Sequence, residues 1–240
     1  MRAVDLTPSF RRLTPAFTLV ELLVVIAIMS ILMAAGAIGL GGMGGKGVTS
    51  GVASAEALFD EARSLAVGQR AHARVLVAKD LTNNPADNLR RIVVVTAEID
   101  PNTGKEKDPD DLDWILSSRG VLLPDQTFFS QDYSKKNQSD FDGPIEEMTL
   151  SAPGAKAAYQ GDYFYYEFNP EGICTTPGAG FVIGTGSRGV NSAANKPRVT
   201  ASGKSDFGGF VVWRNGRTSV FRSPAQIGGG IDNLNPGATF

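Results

Sequence analysis

From Phe17 to Leu40 the chain reads FTLVELLVVIAIMSILMAAGAIGL, ~24 residues whose only charge is Glu21. About 20 apolar residues suffice for a helix to cross the hydrocarbon core of a bilayer. The run therefore predicts a membrane-spanning helix over 17–38. Residues 1–16 (MRAVDLTPSFRRLTPA) are polar, with Arg11 and Arg12 close to the apolar boundary. Basic residues on that flank place the N-terminus in the cytoplasm. A secretory signal carries its small-residue cleavage site after the apolar region. Here the small residue, Ala16, precedes it, so a cut between Ala16 and Phe17 removes a leader at 1–16 and leaves the helix on the mature chain.

Glu21 is the fifth residue counted from Phe17. A carboxylate inside hydrocarbon costs a few kcal/mol and normally has a partner and a purpose. A chain that begins at Phe17 supplies one, because the free α-amine of a neighbouring helix can pair with Glu21 and set an axial stagger. The plainer alternative is a signal anchor whose Glu21 reaches the headgroups.

The segment Phe17-Thr18-Leu19-Val20-Glu21-Leu22-Leu23 resembles the N-methylation motif of type IV prepilins and type II secretion pseudopilins. The resemblance implies a membrane peptidase that cuts just before Phe17 and methylates the new amine. That family usually has Gly before the cut, where this chain has Ala16.

Beyond the apolar run, residues 39–51 are dense in glycine. Each glycine in a helix interior costs about 1 kcal/mol relative to alanine, so composition predicts a hinge there. An amphipathic helix is expected over 52–72, with Ala55, Leu58, Phe59, Ala62, Leu65 and Ala66 on one stripe. His72 is expected at its C-terminal end, on the surface. From residue 73 to residue 240 the signal is β. Strand-like runs occur at 73–78, 91–99, 120–124, 163–168, 180–184 and 207–214. Asn215-Gly216 then predicts a type I′ hairpin into RTSVF at 217–221. In that register Trp213 faces Thr218 and Val211 faces Val220. Long polar loops are expected at 79–90, 100–113, 130–146 and 185–206.

The expected fold class is α+β: a long N-terminal transmembrane and assembly helix, then a mainly antiparallel β globular domain. That order, with the phrases GVLLP, FNPEG and the closing NGR, resembles the minor pseudopilin at the tip of type II secretion pseudopili and the related minor pilins.

Asp108, Asp110, Asp111 and Asp113 crowd one loop, and Asp140 and Asp142 sit in another. Carboxylates at alternate positions suit calcium, although neither loop completes an EF-hand; a solvated acidic loop is the plainer reading. Two G-x-G-x-x-G strings occur. The one at Gly39, Gly41 and Gly44 follows a helix rather than a strand, and the one beginning at Gly184 meets Pro197 too soon to open a helix. Ser187 lacks a hydrolase elbow. The single cysteine, Cys174, excludes an intramolecular disulfide and reads as a buried or edge thiol. The single histidine would have to carry any Ser-His-Asp triad or His-based metal site alone. Asn137-Gln138-Ser139 matches a glycosylation sequon.

With 23 basic and 25 acidic residues the net charge is −2, which gives no electrostatic footprint for nucleic acid. The combined expectation is a non-enzymatic fibre subunit without a cofactor. It is held in the bacterial inner membrane with its C-terminal domain in the periplasm, and then drawn into a pilus or pseudopilus. Its implied partners are the prepilin peptidase, other pilin or pseudopilin subunits, an inner-membrane assembly platform and membrane lipid. Two alternatives stay open: a major pilin, and a membrane-anchored recognition module that never assembles.

Overall fold

The computed structural model describes residues 19–41, 43–107, 113–140, 142–189, 196–201, 203, 206–221 and 223–227, with side chains inside the two helices described for 19–30 and from 47 onward. The chain divides into two compact units, Met1–Gly42 and Met43–Phe240. In the first, α1 spans Leu19–Gly41.

The second unit begins with α2, Met43–Gln69. Residues 39–41 and 43–51, which composition sets apart as a hinge, are therefore helical, and the second helix starts well before residue 52. Packing explains part of this. A Cβ on Gly51 would stand 2.8 Å from Ile183 Cδ1 and 3.3 Å from Leu123 Cδ2. The missing side chain lets the helix backbone approach the sheet, and burial offsets a weak helix propensity. Val48, Val52, Ala55, Leu58, Phe59, Ala62 and Ala66 are all buried, one stripe of 3.6-residue period. Arg70 adopts φ +53°, and the Ala71 N–H donates to the Ala66 carbonyl at 3.2 Å, closing the helix as a Schellman-type cap. His72 thus lies just outside the helix.

Among the described residues twelve strands follow, beginning with β1 (Ala73–Leu81), β2 (Arg91–Ala97), β3 (Trp114–Leu122), β4 (Thr127–Phe129), β5 (Lys135–Asn137) and β6 (Asp142–Pro144). The remainder are β7 (Glu147–Leu150), β8 (Gly161–Phe168), β9 (Ala179–Ser187), β10 (Arg198–Val199), β11 (Phe207–Val212) and β12 (Thr218–Val220). One sheet has the order β3-β2-β1-β8-β7, and a second has β10-β9-β11-β12 with β4 also paired to β9. Every pairing is antiparallel, including the small β5–β6 ribbon. The fold is thus mixed α+β with antiparallel sheets. The predicted loops 130–146 and 185–206 contain β5, β6 and β10, each of two or three residues, too short to leave a periodic signal.

Both sheets meet at α2. Phe59 is fully buried and makes edge-on contacts with Tyr166 and Phe210, each at 5.0 Å between ring centroids, and with Phe181 at 5.8 Å. The Tyr166 hydroxyl, inside this core, donates to the Gly180 carbonyl at 2.8 Å. The first sheet is buried on its other face as well: Leu76, Val93, Val95 and Tyr163 form a second cluster with Leu150 and Ala155. Burial on both faces is why β1 and β2 read as continuous apolar runs rather than alternating ones.

The hairpin at Asn215-Gly216 forms, but one residue out of the predicted register. Phe210 pairs with Val220, Val211 with Ser219 and Val212 with Thr218. The Gly216 N–H donates to the Trp213 carbonyl and the Trp213 N–H to the Arg217 carbonyl, both at 2.8 Å. Gly216 has φ +73°, while Asn215 is not in the left-handed region and instead accepts from the Arg217 N–H at 3.0 Å. The loop is thus three residues ending in a glycine bulge, not a two-residue type I′ turn. A one-residue slip exchanges faces: Phe210 and Val212 enter the core, and Trp213 turns outward, its indole N–H donating to Ser219 Oγ at 2.7 Å.

Candidate processing and assembly site

The predicted processing residues Ala16 and Phe17 lie outside the described residues. Glu21 sits in the first turn of α1, where a carboxylate interacts favourably with the unsatisfied N–H groups of a helix start. Around it the helix is apolar on every side, and its described side chains from Leu19 (81 % exposed) to Met29 (58 %) all lie open. The Ser30 hydroxyl folds back onto the Ile26 carbonyl at 2.8 Å, which satisfies it without a partner helix. A helix hydrophobic all round is built to be covered by lipid or by other helices. Among the described residues no helix is long and apolar enough to cross a membrane. The side chains of α1 are described through Ser30, and the rest of the apolar run, which the sequence carries to Leu40, lies beyond them.

Of the acidic cluster, Asp108, Asp110 and Asp111 lie outside the described residues. Asp113 is exposed just before β3, its carbonyl accepting from the Glu98 N–H at 2.9 Å. Asp140 accepts from the Asn137 side-chain amide at 2.5 Å, and Asp142 is exposed in β6. Among the described residues no three His, Cys, Asp or Glu side chains converge as a metal ion requires.

His72 is tied to Glu106, with Nδ1 2.9 Å from Oε2 and the His72 backbone N–H donating to the same oxygen at 3.2 Å. That bond anchors the 100–107 loop to the end of α2. Cys174 is buried, its thiol donating to the Thr176 carbonyl at 3.4 Å, and burial pushes it up to about 11, so it is a poor nucleophile. The string beginning at Gly184 lies mostly within β9 rather than in a turn-rich loop. Gly184 itself abuts the Phe207 ring, 2.4 Å from where a Cβ would stand.

Two arrangements carry no signal in the sequence. On the outer face of the first sheet the Arg74 guanidinium lies between the Trp114 and Tyr165 rings, at 3.9 and 4.1 Å, and pairs with Glu167. Elsewhere, Arg90 and Arg188 line one pocket with Gln126, Phe128 and Ser187. The residues in each set come from segments far apart in sequence, so only strand register brings them together.

The prokaryotic N-terminal methylation motif matches the chain over residues 13–37. No curated protein and no solved structure matches it.

Proposed function

We propose that the chain is a structural subunit of a type IV pilus-like or type II secretion pseudopilus fibre, a minor one, cut after Ala16 and methylated on Phe17. The methylation motif at residues 13–37 supports a prepilin-type or pseudopilin family, and it is the observation that carries this reading. Such a motif implies processing by a prepilin peptidase and assembly with other pilin subunits.

In the proposed pathway residues 1–16 are the cytoplasmic leader and 17–38 hold the precursor in the inner membrane, with the β domain in the periplasm. An assembly platform then draws the helix from lipid into the fibre. An apolar surface on every side of α1 over its described side chains, 19–30, suits both surroundings, since neither leaves a polar face unsatisfied. Glu21 supplies the register by pairing with the methylated amine of a neighbouring subunit. Its place in the first turn of α1 keeps it close in sequence to the end where such an amine would lie. The long polar loops and short ribbon on the β domain suit the lower-copy role of contacting partners or clients.

The test is mass spectrometry of the mature chain. A single species beginning at methylated Phe17 is expected; a chain retaining Met1 would overturn the reading in favour of a signal anchor.

A further inference from the structure

The tip of the β11–β12 hairpin gathers charge of one sign. From Phe207 through Ile231 the sequence carries Arg214, Arg217 and Arg222 and no acidic residue, in a chain whose net charge is −2. Arg222 lies outside the described residues, but Arg214 and Arg217 are exposed on either side of Asn215-Gly216. A third arginine reaches the tip from α2. A Cβ on Gly216 would stand 2.6 Å from Arg63 Cδ, and Arg63 Nε donates to the Gly172 carbonyl at 3.2 Å. Asp60 and Glu61 precede Arg63, and Glu171 precedes Gly172, all exposed. Yet among the described residues no ion pair joins any carboxylate to Arg63, Arg214 or Arg217.

Apolar surface accompanies the charge. Among the described residues Trp213, 46 % exposed, is the one aromatic side chain that lies open. Val67, 50 % exposed on α2, extends the surface past Gly172, where a Cβ would stand 2.8 Å from Val67 Cγ2. The tip is also held rigidly. Trp213 and Arg217 are opposed, the Trp213 N–H donating to the Arg217 carbonyl at 2.8 Å, so their side chains leave on one face. The indole is fixed on Ser219 Oγ, and the Arg214 carbonyl accepts from the Cys174 N–H at 3.1 Å. A surface ordered in advance loses little conformational entropy on docking.

From this arrangement we infer that the hairpin tip docks an acidic polypeptide segment of a partner protein. Carboxylates of the partner meet Arg214, Arg217 and Arg63, and one of its apolar side chains packs on Trp213. Tryptophan and arginine are the residue types that dominate protein interfaces, and charge complementarity selects an acidic partner. Nucleic acid fits less well. Its phosphates follow a long basic track, whereas Asp60, Glu61 and Glu171 border this patch and would repel them. A second copy of the chain in a two-fold contact would set the same positive tip against itself. The inference concerns the β domain and does not depend on cleavage after Ala16 or on fibre assembly.

Fluorescence polarisation of the full chain in detergent micelles tests it. The probe is a fluorescein-labelled peptide of glutamates flanking a single leucine, beside a labelled oligothymidylate. Saturable peptide binding at sub-millimolar concentration is expected, weakened about fivefold between ~50 and ~500 mM salt. Arg217→Glu should weaken it by about tenfold and Trp213→Ala by about threefold. Arg119→Glu, at an exposed arginine of β3, should leave it unchanged. If circular dichroism shows that Trp213→Ala loses its fold, Arg217→Glu decides by itself. No peptide binding at millimolar concentration, or an equal loss in Arg119→Glu, would overturn the inference. So would tighter binding of the oligothymidylate, which assigns the tip to nucleic acid. Self-association that Arg217→Glu abolishes would overturn it too, in favour of a second copy.

Discussion

Gly51 of α2 faces Ile183 of β9 so closely that a Cβ on the glycine would stand 2.8 Å from the isoleucine's terminal methyl. Gly68, on the same helix, has nothing within 4 Å of that position. Two glycines of equal helix propensity therefore do opposite things. Gly51→Val should destabilise the second unit by about 1–3 kcal/mol through overpacking. Gly68→Ala should stabilise it by about 0.5–1 kcal/mol through propensity alone. Urea unfolding followed by the fluorescence of Trp114 and Trp213, both in this unit, measures the two; equal signs would refute the packing role.

Phe59 joins the sheets through its contacts with Tyr166, Phe181 and Phe210. Phe59→Ala leaves a ring-sized void between two sheets that cannot collapse without shifting α2. A loss of about 3–5 kcal/mol is expected in the same unfolding experiment, with Phe59→Leu costing markedly less.

Cys174 connects pH to stability. Its thiol is pushed from an ordinary 9.0 to about 11, mainly by burial. A raised acid favours the folded state while neutral, so its contribution is complete below pH 9 and disappears as pH rises through 11. The loss amounts to roughly 2–3 kcal/mol. Stability should decline over that window, and Cys174→Ala should flatten the decline. At pH 8 only about a thousandth of the thiol is ionised, so iodoacetamide should label the folded chain far more slowly than the unfolded one.

Glu21→Val tests the assembly reading directly. The substitution removes the only charge of the apolar run, so membrane insertion should be at least as efficient, and fibre incorporation should be abolished. Fractionation of membranes and sheared fibres followed by immunoblotting separates the two. Normal incorporation would remove Glu21 from the register-setting role.

Much of the architecture is legible because local chemistry and tertiary context agree. The stripe from Ala55 to Ala66 reads as a helix face and is one. The runs at 73–78, 163–168 and 207–214 are apolar enough to be strands in any packing, and they overlap β1, β8 and β11. Legibility ends where agreement ends. Asn215-Gly216 announces a hairpin, but register is decided by which neighbours enter the core, and burying Phe210 and Val212 beside Phe59 selects the bulged loop.

The N-terminal signal belongs to the sequence alone. An apolar run, a carboxylate at fixed spacing and a small residue before them form a one-dimensional pattern, the one that the methylation motif matches over residues 13–37, and it needs no fold to be recognised. Tertiary structure decided what depends on distance between remote segments. Gly51 became a contact with β9 instead of a break, because a helix that can approach the sheet gains more burial than its propensity loses. Arg90 and Arg188 became one pocket because β2 and β9 carry them to the same end of the domain, a proximity that no local spacing encodes.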